Sequence, residues 1–265
     1  MRVRPVADLA PRAAELRGVF SDIDDTLTHD GVVAPEAYAA LTRARAAGLR
    51  VVLVTGRPAG WAEVLASLWP VDAAIAENGG IAYVRRGRRL ERLYFAPGEP
   101  DDDARRLAAL ADDILRTFPY ARRSDDGALR ITDVAFDIGE TQQLGAAEID
   151  ALTARCRDLG ARTLVSSVHA HAYFHTADKA RMSARVAGVL WGESEPDVAD
   201  HYAFVGDSPN DQAAFAFFTA SIGVANVTRY AAALRPPPRY VTPSPHGRGF
   251  AEAIDAILAD REAAR

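Results

Sequence analysis

Hydrophobic and polar positions alternate along this chain in two distinct periods. Short, mainly apolar runs at residues 19–23, 49–54 and 73–76 read as strands covered on both faces. Between them lie segments of helical period. Residues 35–47 predict a helix with Pro35 in its first turn and Gly48 closing it, and a second helix after Pro58 carries Trp61, Val64, Leu65 and Leu68. Glu77-Asn78-Gly79-Gly80 stops the third run. Strand, helix, strand, helix, strand in that order predicts a parallel sheet with right-handed crossovers.

The middle of the chain has a different texture. Residues 81–84 and 90–95 flank Arg85-Arg86-Gly87-Arg88-Arg89 and predict a hairpin. A helix over 101–118, a strand over 129–138, a helix over 146–159 and one or two strands in 163–175 follow, a mixed α+β pattern. Beyond residue 175 the first pattern resumes, with helices over 179–190 and 211–217, strands over 202–205 and 221–224, a Pro-rich loop at 236–238 leading into Tyr240-Val241-Thr242, and a closing helix over 249–264. The expected organisation is a core of residues 1–84 and 178–265, interrupted by an inserted unit at 85–177. No internal repeat is present.

Composition narrows the function classes. The formal charge of −5 argues against non-specific nucleic-acid binding, and no apolar run reaches membrane-spanning length. The single Cys156 excludes an internal disulfide framework and suits a reducing cytoplasm. The first residues, with Arg2, Arg4, Asp8, Arg12 and Glu15, lack a secretory apolar core. A cytoplasmic protein is expected.

Four separated segments place polar residues where a parallel sheet gathers them, outside the carboxyl ends of its strands. Asp22 and Asp24 end the first strand. Crowded carboxylates repel, so a cation between them is expected, and Mg²⁺ commonly binds through carboxylates together with phosphate oxygens. Thr55-Gly56-Arg57 follows the second strand and offers a hydroxyl, a bare amide and a guanidinium to an anion. Lys179 opens a helix, where a point positive charge meets an anion. Gly206-Asp207-Ser208-Pro209-Asn210-Asp211 follows the strand at 202–205 and supplies a second acidic pair.

These four segments, in this order, resemble the signature of the haloacid dehalogenase-like (HAD) phosphohydrolases: DxDxT, TGR, a lysine and GDxxND. The insert lies between the second and third motifs, as in subfamily II. Its α+β character and the Glu77-Asn78-Gly79-Gly80 segment look like the IIB neighbourhood of Cof-like proteins, sucrose-phosphate phosphatases and mannosyl-3-phosphoglycerate phosphatases. The resemblance implies an α/β, Rossmann-like HAD core with a parallel sheet and an inserted α+β cap of the C2 type.

It also implies roles. Asp22 attacks phosphorus to form an aspartyl-phosphate, and Asp24 serves as general acid and base. Thr55, Gly56 and Lys179 hold the phosphoryl group, with Arg57 and Asn210 beside it. Asp22, the Asp24 carbonyl, Asp207 and Asp211 bind Mg²⁺, Asp211 directly or from behind the ligands. The expected partner is a small phosphorylated metabolite, a sugar phosphate above all, with no nucleic acid and no membrane. Two positions depart from the family pattern: Asp25 and Ala180 stand where glycine is common.

Other readings stay open at this point. A phosphosugar mutase shares the aspartyl-phosphate step, and a non-catalytic phosphometabolite-binding protein shares the fold. His169, His171 and His175 fall on one face of a strand. They are either the polar face of a half-buried sheet or, if that face looks toward the core, readers of the leaving group.

Overall fold

The computed structural model describes residues 3–95, 100–166 and 168–262. Residue 167, inside the expected strand region, and residues 263–264 of the expected closing helix lie outside the described residues.

A nine-stranded sheet runs in the order Arg4–Pro5, Tyr240–Val241, Ala220–Gly223, Tyr202–Gly206, Gly18–Ser21, Arg50–Val54, Ala73–Ala76, Ile81–Arg86 and Arg89–Tyr94. The first seven strands are parallel, and the last two close the edge as an antiparallel hairpin. Alternation along each strand feeds two cores. Val51 and Leu53 pack with Val19, Leu41 and Ile254 on one face, while Val52 and Val54 pack with Phe20, Met182 and Phe204 on the other. Helices Pro35–Ala46 and His246–Glu262 cover the first face, and Lys179–Trp191 and Gln212–Phe217 the second. With apolar partners on both sides, the strands need hydrophobic residues at successive positions, as at residues 51–54 and 73–76.

The hairpin belongs to the large sheet. Ile81–Arg86 pairs with Ala73–Ala76, and Arg89–Tyr94 pairs with Ile81–Arg86. The expected core boundary at residue 84 therefore cuts through the hairpin, and sheet pairing carries the core through Tyr94. Period-two alternation does not state which sheet a hairpin joins, so the sequence left that open.

The insert is an antiparallel sheet in the order Arg162–Val165, His169–Tyr173, Asp133–Asp137, with helices Pro100–Thr117 and Ala146–Asp158 on one face. Val134, Phe136, Ala170 and Ala172 point toward those helices and meet Leu110, Ile114, Leu152 and Cys156. Period two then turns His169 and His171 to the opposite face. The strand expected at 129–138 begins only at Asp133, because residues 127–129 form a tight turn and the Ile131 and Thr132 N–H groups donate to Glu77 rather than to a neighbouring strand. The architecture is thus an α/β core with a largely parallel sheet and an α+β insert, as the sequence predicts. Among the described residues no helix is long and apolar enough to cross a membrane.

Candidate active site

The strand Gly18–Ser21 lies between Tyr202–Gly206 and Arg50–Val54, with chain connections leaving in opposite directions. A crevice opens at such a switch point, outside the strands' carboxyl ends. All four sequence motifs meet there.

Asp22 follows its strand directly, its backbone N–H donating to Val205 O at 2.9 Å. Lys179 is fully buried at the first position of Lys179–Trp191 and donates through Nζ to Asp22 Oδ1 at 2.5 Å and to Asp211 Oδ1 at 2.6 Å. Asp211 Oδ2 accepts the backbone N–H groups of Asp207 at 2.9 Å and Ser208 at 3.2 Å. Both Asp211 oxygens are therefore committed to holding Lys179 and the 206–211 turn. Asp207 Oδ2 accepts from Asn226 Nδ2 at 2.9 Å, and Thr26 Oγ1 lies 3.5 Å from Asp207 Oδ1.

Electrostatics in this cluster are unbalanced. Burial, then the charges of Asp211, Asp207 and Asp24, hold the Asp22 carboxyl well above the usual carboxylate range against the pull of Lys179. Burial, followed by Asp211 and Asp25, pushes Asp207 up to about 8. Burial opposes the Lys179 charge, but Asp211 and Asp22 outweigh it and raise its pKa. One ammonium thus faces three buried carboxylates, and ligand atoms of Asp22, Asp207 and Asp211 lie within 4.8 Å of one another. This all-oxygen, charge-deficient set fits a hard divalent cation. Asp22 and Asp207 have coordination capacity to spare, whereas the bonds already made by Asp211 suit it to a supporting place behind them.

Asp24 points elsewhere. Its half-exposed carboxylate meets Arg57 Nε at 3.0 and 3.2 Å and Arg57 Nη2 at 3.0 Å, and Thr55 Oγ1 lies 3.4 Å away. Arg57, expected beside the phosphate, is thus seated on Asp24, with Trp61 beneath its guanidinium at 4.9 Å. Thr55 Oγ1 accepts the Arg57 N–H at 2.9 Å, fixing the turn. Gly56 rides on Asn78: an added Cβ would stand 3.1 Å from that side chain. Asn210 Oδ1 accepts from Ser208 Oγ at 2.8 Å and lines the same cavity as Asp22, Asp24 and Asp207.

Asp25 adopts a left-handed backbone with φ 57°. That conformation explains why glycine is common here in the resembled family, and aspartate is among the few side chains that tolerate it. The Asp25 carbonyl accepts from Asn226 Nδ2 and faces His246 Nδ1, each at 3.0 Å. Asn226 therefore ties the first acidic turn to Asp207. Sequence reasoning missed it, since one asparagine in a loop carries no local signal.

The insert also reaches the site. Arg130, with a side chain only 2% exposed, donates from Nη1 to the Gly56 carbonyl at 3.2 Å and to both Asp133 oxygens, and from Nε and Nη2 to Asp126. His171 Nδ1 is 2.8 Å from Asp133 Oδ2, and His169 Nε2 is 2.8 Å from Glu140 Oε2. His169 and His171 line the cavity, so that strand face does look toward the core. His175 does not line it; it packs on Gly80. Glu77 connects the two parts, its carboxylate accepting the N–H groups of Ala59 at 2.8 Å and Ile131 at 2.9 Å and both donors of Thr132. Burial, then nearby Asp133, pushes Glu77 up to about 7.

A Rossmann-like α/β core, with acidic groups and one buried lysine gathered at its carboxyl edge under an α+β insert, defines the class of protein. Residues 19–102 match the family model of haloacid dehalogenase-like hydrolases. Solved structures share the fold over nearly the whole chain. A Thermoplasma acidophilum protein (TM-score 0.71, 19% identity) covers 91% of this chain and 98% of its own. The Synechocystis sucrose-phosphatase, solved with sucrose and phosphate (TM-score 0.63, 19% identity), gives the same coverages. The Aspergillus fumigatus trehalose-6-phosphate phosphatase (TM-score 0.62, 12% identity) covers 97% of this chain and 100% of its own. The matches bear out the resemblance to haloacid dehalogenase-like hydrolases; at these identities, what the solved structures share with this chain is the fold.

Proposed function

We propose that this chain is a Mg²⁺-dependent phosphatase that hydrolyses a small phosphorylated metabolite, a sugar phosphate, through an aspartyl-phosphate on Asp22. The observation that carries this reading is the buried group of Asp22, Asp207, Asp211 and Lys179, in which one cation faces three carboxylates and Asp22 Oδ2 stays unbonded among the described residues. Carboxylates pushed up by burial and then by one another's charge in a cleft are a functional-site signature. Phosphoryl transfer needs this kind of positioning and charge neutralisation more than elaborate covalent chemistry.

In this reading Asp22 Oδ2 attacks phosphorus while Lys179 holds Oδ1 and fixes the carboxylate plane. The alcohol leaves with a proton from Asp24, which afterwards takes a proton from the water that cleaves the acyl phosphate. Such acid–base help contributes about 10²–10⁴-fold. Arg57 orients Asp24, and Thr55, the Gly56 amide and Lys179 receive the phosphoryl oxygens, with Asn210 beside them. Mg²⁺, held by Asp22, Asp207 and the Asp24 carbonyl with Asp211 behind, would neutralise the dianion and orient it for in-line attack.

The insert serves as a cap whose approach excludes water and selects the leaving group. Its division from the core, drawn from the sequence at residues 85–177, is proposed with the hairpin through Tyr94 assigned to the core.

Asp22→Asn tests the reading. The variant should fold and release no phosphate from p-nitrophenyl phosphate with Mg²⁺ present; undiminished turnover would remove Asp22 as nucleophile.

A further inference from the structure

The cavity between core and insert is about 490 Å³, within the range of about 300–1,000 Å³ common for small-molecule sites. Beyond the carboxylates that face the phosphoryl position, its lining carries cations that are already paired and carboxylates that are exposed. The arginines lining it are Arg57 and Arg130. Arg57 is paired with Asp24, and Arg130 is clamped between Asp126 and Asp133 with a further bond to Gly56 O. Against them stand the half-exposed or exposed carboxylates of Asp25 and Asp30, and Glu140 behind His169. Among the described lining residues, no arginine is left over to receive an anion.

The two histidines are oriented by carboxylates. Asp133 takes His171 Nδ1, which leaves Nε2 as the ring nitrogen free of a hydrogen bond among the described residues. Glu140 takes His169 Nε2, which leaves Nδ1. In a neutral imidazole whose N–H donates to a carboxylate, the other nitrogen is an acceptor. Val165 and Val168 add apolar surface, and Ser166 a hydroxyl, on the same wall. Acceptors for hydroxyl protons beside a small apolar patch, with no spare cation, match a neutral polyol.

We propose that this cavity selects a neutral, polyhydroxylated leaving group, its hydroxyls donating to His169 and His171, and disfavours leaving groups bearing a carboxylate or a second phosphate. The inference rests on the phosphatase reading and narrows its substrate class. Arg130 acts as a positioning residue: saturated by Asp126 and Asp133, it fixes the His171 partner and links that wall to the loop of Thr55 and Gly56.

The matched pair sorbitol 6-phosphate and 6-phosphogluconate, which differ only in CH₂OH against carboxylate at one end, tests it. Phosphate release with Mg²⁺ should favour sorbitol 6-phosphate in kcat/KM by at least about tenfold, since like-charge juxtaposition penalises the wrong ligand. Val165→Lys, at a position 45% exposed on the cavity wall, should shrink that ratio by supplying the missing cation. His171→Phe should lower kcat/KM for sorbitol 6-phosphate more than for p-nitrophenyl phosphate, which has no hydroxyls to read. Equal turnover of the pair, or preference for the acid, while p-nitrophenyl phosphate is hydrolysed, overturns this inference and leaves the phosphatase reading standing. No release from any of the three substrates overturns both.

Discussion

Lys179 Nζ stands 2.5 Å from Asp22 Oδ1, although 157 positions of chain and the whole insert separate the two residues. A single buried ammonium thereby joins the first strand's terminal carboxylate to Asp211, and through Asp211 to the 206–211 turn. Replacing Lys179 by Met keeps the length and removes the charge, leaving two buried carboxylates without their cation. Breaking a buried pair in this way costs about 3–5 kcal/mol. Urea unfolding should register that loss, and phosphate release should fall by at least about 10²-fold. A Lys179→Met protein as stable as the parent would contradict the pairing.

Divalent cation binding should be visible without turnover. Asp207 is pushed up to about 8, so a proton competes with the metal below that pH and affinity rises as pH climbs toward and through it. Mg²⁺ at about 100 times its Kd should stabilise the fold by about 2.7 kcal/mol. Thermal unfolding with and without Mg²⁺ should show a larger upward shift at pH 8 than at pH 6. Asp207→Asn should abolish the shift; an undiminished shift in that variant would place the ion elsewhere.

Gly206 is where strand and acidic turn press together. A Cβ there would stand 2.4 Å from Asp211 Oδ2 and 2.8 Å from the Phe204 ring. Gly206→Ala must displace the carboxylate that holds the Asp207 and Ser208 N–H groups. Overpacking of this kind costs about 1–3 kcal/mol. Phosphate release should drop more than tenfold, about 1.4 kcal/mol of transition-state stabilisation or more. Wild-type kinetics in Gly206→Ala would show that the turn has more freedom than its contacts imply.

His175 predicts a pH dependence of stability. It stacks on Tyr173 with ring centroids 4.6 Å apart, accepts the Ala177 N–H at Nδ1, and has Nε2 buried without a partner among the described residues. Burial pushes its pKa down to about 4 from the ordinary 6.5. The unfolded chain binds the proton more readily between those values, so the contribution is complete above pH 6.5 and is lost as pH falls toward 4. From pH 7 to pH 5 the loss is about 2 kcal/mol. Comparing urea midpoints of the wild type and His175→Gln across that interval isolates this contribution from the opposite trend expected of Glu77. Parallel pH profiles for the two proteins would refute the assignment.

How much could be read in advance varied by residue for physical reasons. Asp22, Thr55 and Asp207 each follow a buried apolar run by position, and strand ends are local features that a sequence displays. Arg57 was legible as a cation at the right edge but not as the partner of Asp24, because a long side chain can reach several acceptors. Asn226 and Arg130 gave no local signal: their partners lie at Asp25, Asp207 and Gly56, far along the chain. The allegiance of the 81–94 hairpin was open because alternation is the same in either sheet.

The sequence by itself determined the α/β order, the interruption by an α+β unit, and which residue types end the strands, since hydrophobic period and turn chemistry are properties of neighbours. Only the tertiary structure decided that Asp211 spends both oxygens on Lys179 and the turn, that Arg57 sits on Asp24, and that His169 and His171, but not His175, face the cavity. Those outcomes depend on distances between segments far apart in the chain, and buried charges settle on whichever partner the packed fold brings within hydrogen-bonding reach.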